Sequence, residues 1–274
     1  MASVKINPNH RLAIFIDVDG TILAEAQHIA PSTIEAIRAA RANGHLVFLS
    51  TGRSPNHIPD NVGEIGFDGI VGSGGGVAVV GDEIVITNRF TAEDKRWLLN
   101  YFQERDIEWF GETTDKLFAS PGLDEAMKPL RSQFPNFEPP KYAPLHELQD
   151  DELLKVVIMS DDAKKINTAL AELKDRYHVV TGTIPVPFGA SGEFGPLGVN
   201  KGTTILNLLN MLGIPVEDSI AIGDNWNDIE MFEACGLSIA MGNSEPAIKA
   251  LADEVTTDVL DDGIYNALKK HQII

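Results

Sequence analysis

The feature that most constrains the fold is a short, uninterrupted apolar segment near the start of the chain that ends abruptly in acidic residues. The segment runs from Arg11 to Ile16, with the sequence RLAIFI, and DVDG follows it at positions 17–20. Apolar runs of this length are typical of strands that are buried on both faces, as in parallel sheets covered by helices. The segment therefore predicts an α/β fold with polar residues at the carboxyl end of one strand.

The following segments alternate between helical and strand patterns. A helix begins at Pro31 and stops at Gly44, and a second apolar strand covers residues 45–49. The far end of the chain repeats the pattern with a helix at 203–212, a strand at 219–222, a helix at 228–234, a strand at 237–241 and a helix capped by Ser244 that ends near residue 252. Ligands of open parallel sheets bind beyond the carboxyl ends of the strands, so we expect the polar segments there to share one edge.

The middle of the chain differs in composition from both ends. Residues 84–191 are richer in aromatic residues and proline, with strand patterns at 155–159 and 178–180 and helical patterns at 91–103 and 163–176. We therefore predict a doubly wound α/β core of residues 1–83 and 192–274, with an α+β domain of residues 84–191 inserted into it. The glycine-rich segment at 72–76 lacks the residue order of a nucleotide-binding loop, so we interpret it as a structural turn near the junction.

Composition narrows the classes of function. The chain has 22 basic and 40 acidic residues, a net charge of −18, which argues against binding to nucleic acid or to an anionic membrane. An anionic substrate would then need local positive charge or a metal ion. The one cysteine, Cys235, cannot form an internal disulfide, and we interpret it as a small buried apolar residue. Together with the absence of a signal-like segment before residue 10, this predicts a cytoplasmic protein.

Two pairs of carboxylates stand at the ends of two predicted strands: Asp17 with Asp19, and Asp224 with Asp228. One carboxylate of a pair can attack as a nucleophile while the other transfers protons. Clustered carboxylates repel one another unless a cation compensates them, and Mg²⁺ prefers oxygen ligands of this kind. The alternative is structural, because aspartate is also common in turns after strands and at the starts of helices.

Hydrogen-bond donors accompany these carboxylates. Thr51, Gly52 and Arg53 follow the second strand, and Lys201 precedes a predicted helix. Hydroxyl, backbone N–H and ammonium groups together can hold a phosphate. Arg53 is expected either to contact substrate or phosphate or to pair with a surface carboxylate. Trp226 either lines the mouth of the site or packs in the core.

Four motifs in order carry a resemblance to a known family. D-x-D-G-T, S-T-G-R, N-K-G-T and G-D-x-x-N-D resemble the motifs of the haloacid dehalogenase (HAD) superfamily, and more narrowly those of the Cof-type phosphatases. Glu193 and Pro196, which precede the lysine motif, also match that subfamily. The resemblance implies a Rossmann-like core with a large inserted cap of the C2 type.

The resemblance also implies a role for each motif residue. It makes Asp17 the nucleophile that forms an aspartyl-phosphate and Asp19 the residue that protonates the leaving oxygen and then activates water. Three implied roles concern the phosphate: Thr51 and the Gly52 amide hold phosphoryl oxygens, Lys201 neutralises the nucleophile and phosphate, and Asn227 contacts phosphate. The others concern the metal: Asp17, Asp224 and the Asp19 carbonyl bind Mg²⁺, and Asp228 supports Lys201 or a metal-bound water.

These expectations converge on a Mg²⁺-dependent phosphatase for small phosphorylated metabolites, with sugar phosphates the expected class. Two alternatives remain open: a phosphotransferase or mutase using the same aspartyl-phosphate, and a binding protein with a silent site. The cap is expected to select the leaving group, with Phe188, Gly189 and Ser191 as candidates from chain order.

Overall fold

The computed structural model describes residues 7, 9–24, 27–128, 140–148, 152–182 and 189–274. They belong to two compact units, the first made of Met1–Ile86 with Asn200–Ile274 and the second of Thr87–Val199. From sequence we placed the domain boundaries at residues 84 and 192. These boundaries stay a prediction.

The helices and strands follow the expected order. The amino-terminal part contains β1 (Ala13–Ile16), α1 (Pro31–Ala42), β2 (Leu46–Ser50), α2 (Asp60–Gly63), β3 (Gly69–Gly72), β4 (Val77–Val80) and β5 (Glu83–Thr87). The second unit contains α3 (Ala92–Glu104), β6 (Glu108–Glu112), β7 (Leu117–Ala119), α4 (Leu123–Ala126), β8 (Lys155–Ser160), α5 (Ala163–Leu173), β9 (Tyr177–Thr181) and β10 (Ala190–Pro196). The carboxyl-terminal part contains α6 (Lys201–Leu212), β11 (Ser219–Gly223), α7 (Ile229–Ala234), β12 (Leu237–Ala240), α8 (Pro246–Lys249), β13 (Glu254–Val255) and α9 (Gly263–Lys270).

The sheet of the first unit has the strand order β13-β12-β11-β1-β2-β3-β4-β5. The strands from β13 to β3 pair in parallel, and β4 returns antiparallel to β3. The register pairs Ile16 with Ile222 on one side and with Leu49 on the other. The residues that follow, Asp17 in particular, therefore lie at the edge where β1, β2 and β11 end together.

Helices cover both faces of this sheet, because alternate residues of each strand point to opposite sides. Ile14 and Ile16 of β1 pack in one cluster with Ile37 of α1 and Leu268 of α9. On the opposite face, Phe15 and Phe48 stack with 5.3 Å between ring centroids and pack with residues of α6 and α7. The prediction of a doubly wound α/β core is confirmed.

The second unit is an antiparallel sheet in the order β7-β6-β8-β10-β9. One face packs against α3 and α5 through an apolar cluster that includes Phe102, Val156, Ile166 and Phe194. The unit is of the α+β kind, as the aromatic-rich middle of the chain predicts.

The helix predicted after Ser244 is shorter than expected and is not capped by that residue. The helix α8 spans Pro246–Lys249 and has Glu245 at its N-cap position. The Ser244 hydroxyl is buried and has no hydrogen-bond partner within the described chain. The cap prediction was wrong because Pro246, which suits the first position of a helix, sets the start one residue later.

Within the described residues, no helix combines the length and the apolar character needed to cross a membrane.

Candidate active site

Asp17 is a buried carboxylate at the carboxyl end of β1, with its side chain 5% exposed. Its backbone N–H donates to the carbonyl of Ile222, at 2.9 Å, so the pairing of β1 with β11 extends to this residue. Burial and the nearby carboxylates of Asp228 and Asp224 raise the pKa of Asp17 well above its ordinary value, although Lys201 opposes them. The carboxylate is thus held in a site where its charge needs a positive partner.

Gly20 and Thr21 bring the end of β1 against Asp224. Gly20 has a backbone φ of +88°, and a Cβ on this residue would lie 2.2 Å from Oδ2 of Asp224. Only glycine satisfies both the left-handed conformation and the close approach. The Thr21 hydroxyl donates to Oδ1 of Asp224 at 2.9 Å. Burial, with repulsion from Asp228, raises the pKa of Asp224 to about 7.

Lys201 joins two of the acidic residues. Its Nζ donates to Oδ1 of Asp17 at 2.7 Å and to Oδ1 of Asp228 at 2.5 Å, with its side chain 2% exposed. Burial would lower the pKa of Lys201, but the two carboxylates outweigh burial and raise it above its ordinary value.

The second oxygen of Asp228 fixes the turn after β11. Oδ2 accepts the backbone N–H groups of Asp224, at 2.9 Å, and of Asn225, at 3.1 Å. A Cβ on Gly223 would lie 2.5 Å from the same oxygen, so the close approach requires glycine there. Asp228 therefore orders the Asp224 loop and holds Lys201 at the same time.

Thr51 and Arg53 lie after β2. The Thr51 side chain is buried, and its hydroxyl accepts the backbone N–H of Arg53 at 3.1 Å. The Arg53 guanidinium donates two hydrogen bonds to the Asp19 carboxylate, each 2.7 Å long, and this contact raises the pKa of Arg53. Asp19 is exposed, so Arg53 pairs with an exposed carboxylate, which is one of its two expected contacts.

The donor set fits a divalent cation. Asp17, Asp224 and Asp228 each offer a carboxylate oxygen, and these oxygens lie within 4.8 Å of one another. Lys201 supplies one positive charge against three carboxylates. Burial, and then repulsion from the neighbouring carboxylates, raises the pKa values of Asp17 and Asp224. Hard oxygen ligands of this kind suit Mg²⁺. The Asp19 carboxylate binds Arg53. The contact with the metal was expected from the backbone carbonyl of Asp19, and it remains a prediction.

Asn227 lies in the 3₁₀ turn Trp226–Asp228 beside the cluster. Its side-chain Oδ1 is buried and has no hydrogen-bond partner among the described residues, which leaves a polar atom for a ligand. Trp226 is 52% exposed, so the core-packing alternative for this residue was wrong. Of the residues expected to contact the leaving group, Phe188 lies outside the described residues, and Gly189 and Ser191 belong to the second unit.

Two residues near the site had no role in the predictions from sequence. Thr21 binds Asp224, and the Asn243 side chain donates to the Gly20 carbonyl at 2.8 Å while it accepts the N–H of Val259 at 3.1 Å. Asn243 follows the end of β12, and Thr21 follows the end of β1. Polar residues after strand ends were expected at this edge of the sheet, so their position in the sequence could have identified both as site residues.

The family model of the haloacid dehalogenase-like hydrolases matches residues 14–268, and the chain belongs to this family. A relative from Bacillus subtilis, the 5-amino-6-(5-phospho-D-ribitylamino)uracil phosphatase YcsE, is 27% identical over 264 residues, which cover 93% of this chain and 94% of the relative.

Two solved structures have a similar fold. A protein of Geobacillus kaustophilus HTA426 superposes with a TM-score of 0.83 at 28% identity, covering 97% of this chain and all of the other. The HAD subclass IIB sugar phosphatase BT4131 superposes with a TM-score of 0.80 at 25% identity, covering 96% of this chain and all of the other. The predicted superfamily, the Rossmann-like core with a cap, and the class of phosphoric monoester hydrolase are confirmed.

Proposed function

We propose that this enzyme is a Mg²⁺-dependent phosphatase that hydrolyses small phosphorylated metabolites, including sugar phosphates, through an acyl phosphate on Asp17. The observation that carries the proposal is the buried Asp17 carboxylate, bonded at 2.7 Å to the Lys201 ammonium within a cluster of three carboxylates. The proposed nucleophile, the ammonium that compensates its charge and the proposed metal ligands lie within reach of one another.

Asp17 is suited to nucleophilic attack. Lys201 binds its Oδ1 at 2.7 Å and so holds the carboxylate in place. In the first step a carboxylate oxygen of Asp17 bonds to phosphorus while the bond from phosphorus to the leaving oxygen breaks. Lys201 stabilises the charge on both Asp17 and the phosphoryl oxygens, in a buried setting where electrostatic contacts are strong.

Thr51 is suited to hold a phosphoryl oxygen. Its hydroxyl oxygen accepts the N–H of Arg53, and a hydroxyl that accepts one hydrogen bond can still donate its own proton to a ligand. The Gly52 amide and the Asn227 side chain complete the set of proposed phosphate contacts. Positioning of this kind supplies much of the catalysis in phosphoryl transfer.

Asp19 carries the protons in this proposal. It gives a proton to the leaving oxygen in the first step and takes one from water in the second, when water attacks phosphorus and frees Asp17. Arg53 holds both oxygens of Asp19, so Asp19 must leave this ion pair before it reaches the leaving group. Arg53 is then available to bind substrate, its other expected contact.

The metal would be held by Asp17, Asp224 and the backbone carbonyl of Asp19, with Asp228 reaching it directly or through water. A bound Mg²⁺ neutralises carboxylate and phosphoryl charge, which answers the problem that a net charge of −18 poses for an anionic substrate.

The substrate class draws on the relatives, since one acts on a phosphorylated ribitylamino-uracil and another is a sugar phosphatase. We propose that the inserted domain selects among phosphate esters. A chain with a single cysteine also suits an enzyme of the cytoplasm.

The proposal is tested with purified protein, a panel of phosphorylated metabolites and the variant Asp17→Asn. We expect phosphate release in water with Mg²⁺, none in EDTA, and none from a folded Asp17→Asn protein. Activity close to that of the unaltered protein in this variant would contradict the nucleophile, and full activity in EDTA would remove the metal. Phosphate transfer that requires an added acceptor would favour the phosphotransferase alternative.

A further inference from the structure

The turn Ser73–Gly75 between β3 and β4, here called the 73–75 turn, has an unusual backbone. All three residues have positive φ values, 51° at Ser73, 65° at Gly74 and 100° at Gly75. Ser73 is buried, and a serine in this conformation is uncommon. Backbone of this kind persists where its surroundings hold it, often near a functional site. The turn carries none of the chemistry proposed above, so its contacts show what it can do.

One side of the turn holds the proposed phosphate-binding segment. The N–H of Ser73 donates to the carbonyl of Arg53 at 2.8 Å, and the N–H of Gly74 donates to the carbonyl of Thr51 at 3.0 Å. These bonds hold both ends of the Thr51–Arg53 segment through its carbonyl oxygens. The Thr51 hydroxyl takes no part in them and can donate its proton to a ligand.

The other side of the turn holds the start of α6. The hydroxyl of Thr204, which is fully buried, donates to the carbonyl of Gly75 at 2.7 Å. A Cβ on Gly75 would lie 2.2 Å from the carbonyl oxygen of Asn200 and 2.4 Å from its carbon. Asn200 is the N-cap residue directly before Lys201, so the backbone of the turn rests against the point from which Lys201 extends.

We propose that the 73–75 turn sets the spacing between Thr51 and Lys201, and that Gly75 and Thr204 are positioning residues for phosphoryl transfer. The inference rests on the proposed function, since it concerns the same site. Thr51 and Lys201 come from distant parts of the chain, and the turn bonds to the segment of one and to the helix of the other. Misplacement of a reacting group by about 1 Å can cost about 100-fold in rate, so the spacing matters.

The hydroxyl of Thr204 is tested with a matched pair of variants. Thr204→Val keeps the shape of the side chain but removes the hydroxyl, whereas Thr204→Ser keeps the hydroxyl. We expect Thr204→Val to lower kcat by about tenfold or more and to weaken competitive inhibition by inorganic phosphate. Thr204→Ser is expected to restore both, and circular dichroism and thermal unfolding confirm that the variants fold.

The contact of Gly75 is tested against a second left-handed glycine. Gly75→Ala brings a side chain onto the Asn200 backbone, whereas Gly44, with a φ of +94°, has nothing within 4 Å of an added Cβ. Both substitutions impose the same kind of backbone penalty, but only Gly75→Ala is expected to lower kcat. If Gly75→Ala does not fold, the Thr204 pair still decides.

Two results would overturn the inference: a kcat and phosphate inhibition in Thr204→Val equal to those of the unaltered protein, or a loss that Thr204→Ser fails to restore. These results differ from a failure of the proposed function. That failure would show as no hydrolysis by the unaltered protein, or as full hydrolysis by Asp17→Asn.

Discussion

At the scale of single residues, Lys201 is the cation that compensates the charge of the neighbouring carboxylates. It is buried with two hydrogen-bonded carboxylates at 2.7 and 2.5 Å, and a third, Asp224, lies in the same cluster. One ammonium cannot balance three ionised carboxylates in this site, and burial together with repulsion from Asp228 raises the pKa of Asp224. The metal-free protein is therefore strained electrostatically where we propose that a cation binds.

A substitution at Asp224 should separate stability from metal binding. The pKa of Asp224 is about 7 in the folded protein and about 4 in the unfolded chain, so its ionisation costs stability as the pH rises between these values, and the full cost is present at about pH 8. Asp224→Asn should therefore unfold at a higher temperature than the metal-free unaltered protein at about pH 8. Each kcal/mol gained corresponds to about 2–4 °C. Added Mg²⁺ should raise the unfolding temperature of the unaltered protein but not of the variant. An equal response to Mg²⁺ in both proteins, measured by calorimetry, would remove Asp224 from the metal site.

His45 predicts a pH dependence of stability away from the site. It is buried, its Nδ1 accepts the N–H of Leu12 at 3.3 Å, and burial lowers its pKa. The unfolded chain therefore binds the proton more readily, so this contribution to stability is present above about pH 6.5 and is lost as the pH falls below it. Urea unfolding at about pH 7.5 and about pH 5.5 should show a larger loss for the unaltered protein than for His45→Gln, which does not titrate. Equal losses would contradict the assignment.

The resemblance predicted some partners of the motif residues, since it placed Lys201 beside Asp17 and Asp228, but it left the partner of Arg53 open. Asp17, Asp224 and Asp228 follow strands, and strand ends meet at one edge of a parallel sheet, so their clustering could be expected. That Asp19 pairs with Arg53 could not, because the choice between two contacts of a long side chain depends on positions in space. The bond from Thr204 to Gly75 spans 129 residues and leaves no local pattern.

At the scale of helices and strands, the second sheet contains a buried ion-pair cluster across β6, β8 and β10. Lys155 lies 3.3 Å from Glu112 and 3.1 Å from Glu193, with all three side chains nearly buried. Burial would lower the pKa of Lys155, but the two glutamates raise it. The cluster joins three neighbouring strands on the face opposite α3 and α5.

Lys155→Met should destabilise the protein strongly because it leaves two buried carboxylates without their cation. We expect a loss of about 3–5 kcal/mol, measured by urea unfolding followed by tryptophan fluorescence. The triple variant Glu112→Gln, Lys155→Met, Glu193→Gln removes all three charges and should recover much of that loss. A single variant as stable as the unaltered protein would show that the cluster is not held by its charges.

Strand and helix positions were predicted well where apolar periodicity decided them, as for β1, β8 and α6. The helix α8, which follows β12, was predicted too long. A cap residue and an apolar pattern indicate that a helix is present, but they do not show how many turns it makes before the chain re-enters the sheet. The division expected at residue 192 falls within β10, which runs from Ala190 to Pro196 in the second sheet, and it stays a prediction.

At the scale of the whole molecule, the net charge of −18 opposes the approach of an anionic substrate. Salt screens this repulsion, because the Debye length falls from about 30 Å at 0.01 M to about 8 Å at 0.15 M. We therefore expect kcat/KM for a sugar phosphate to rise over this range at constant Mg²⁺, with kcat unchanged. A fall in kcat/KM would mean that the local positive charge of the site governs substrate approach instead.

The central claim is that Asp17 becomes phosphorylated, and trapping of that intermediate tests it most directly. In Asp19→Asn the residue proposed to activate water is missing, whereas a good leaving group such as p-nitrophenolate departs without a proton. Acid quenching of this variant with labelled p-nitrophenyl phosphate, followed by peptide mass spectrometry, should find phosphate on the peptide that contains Asp17. The double variant Asp17→Asn, Asp19→Asn should carry none. Label in the double variant, or p-nitrophenolate release by the unaltered enzyme with no phosphoenzyme in either protein, would contradict the claim.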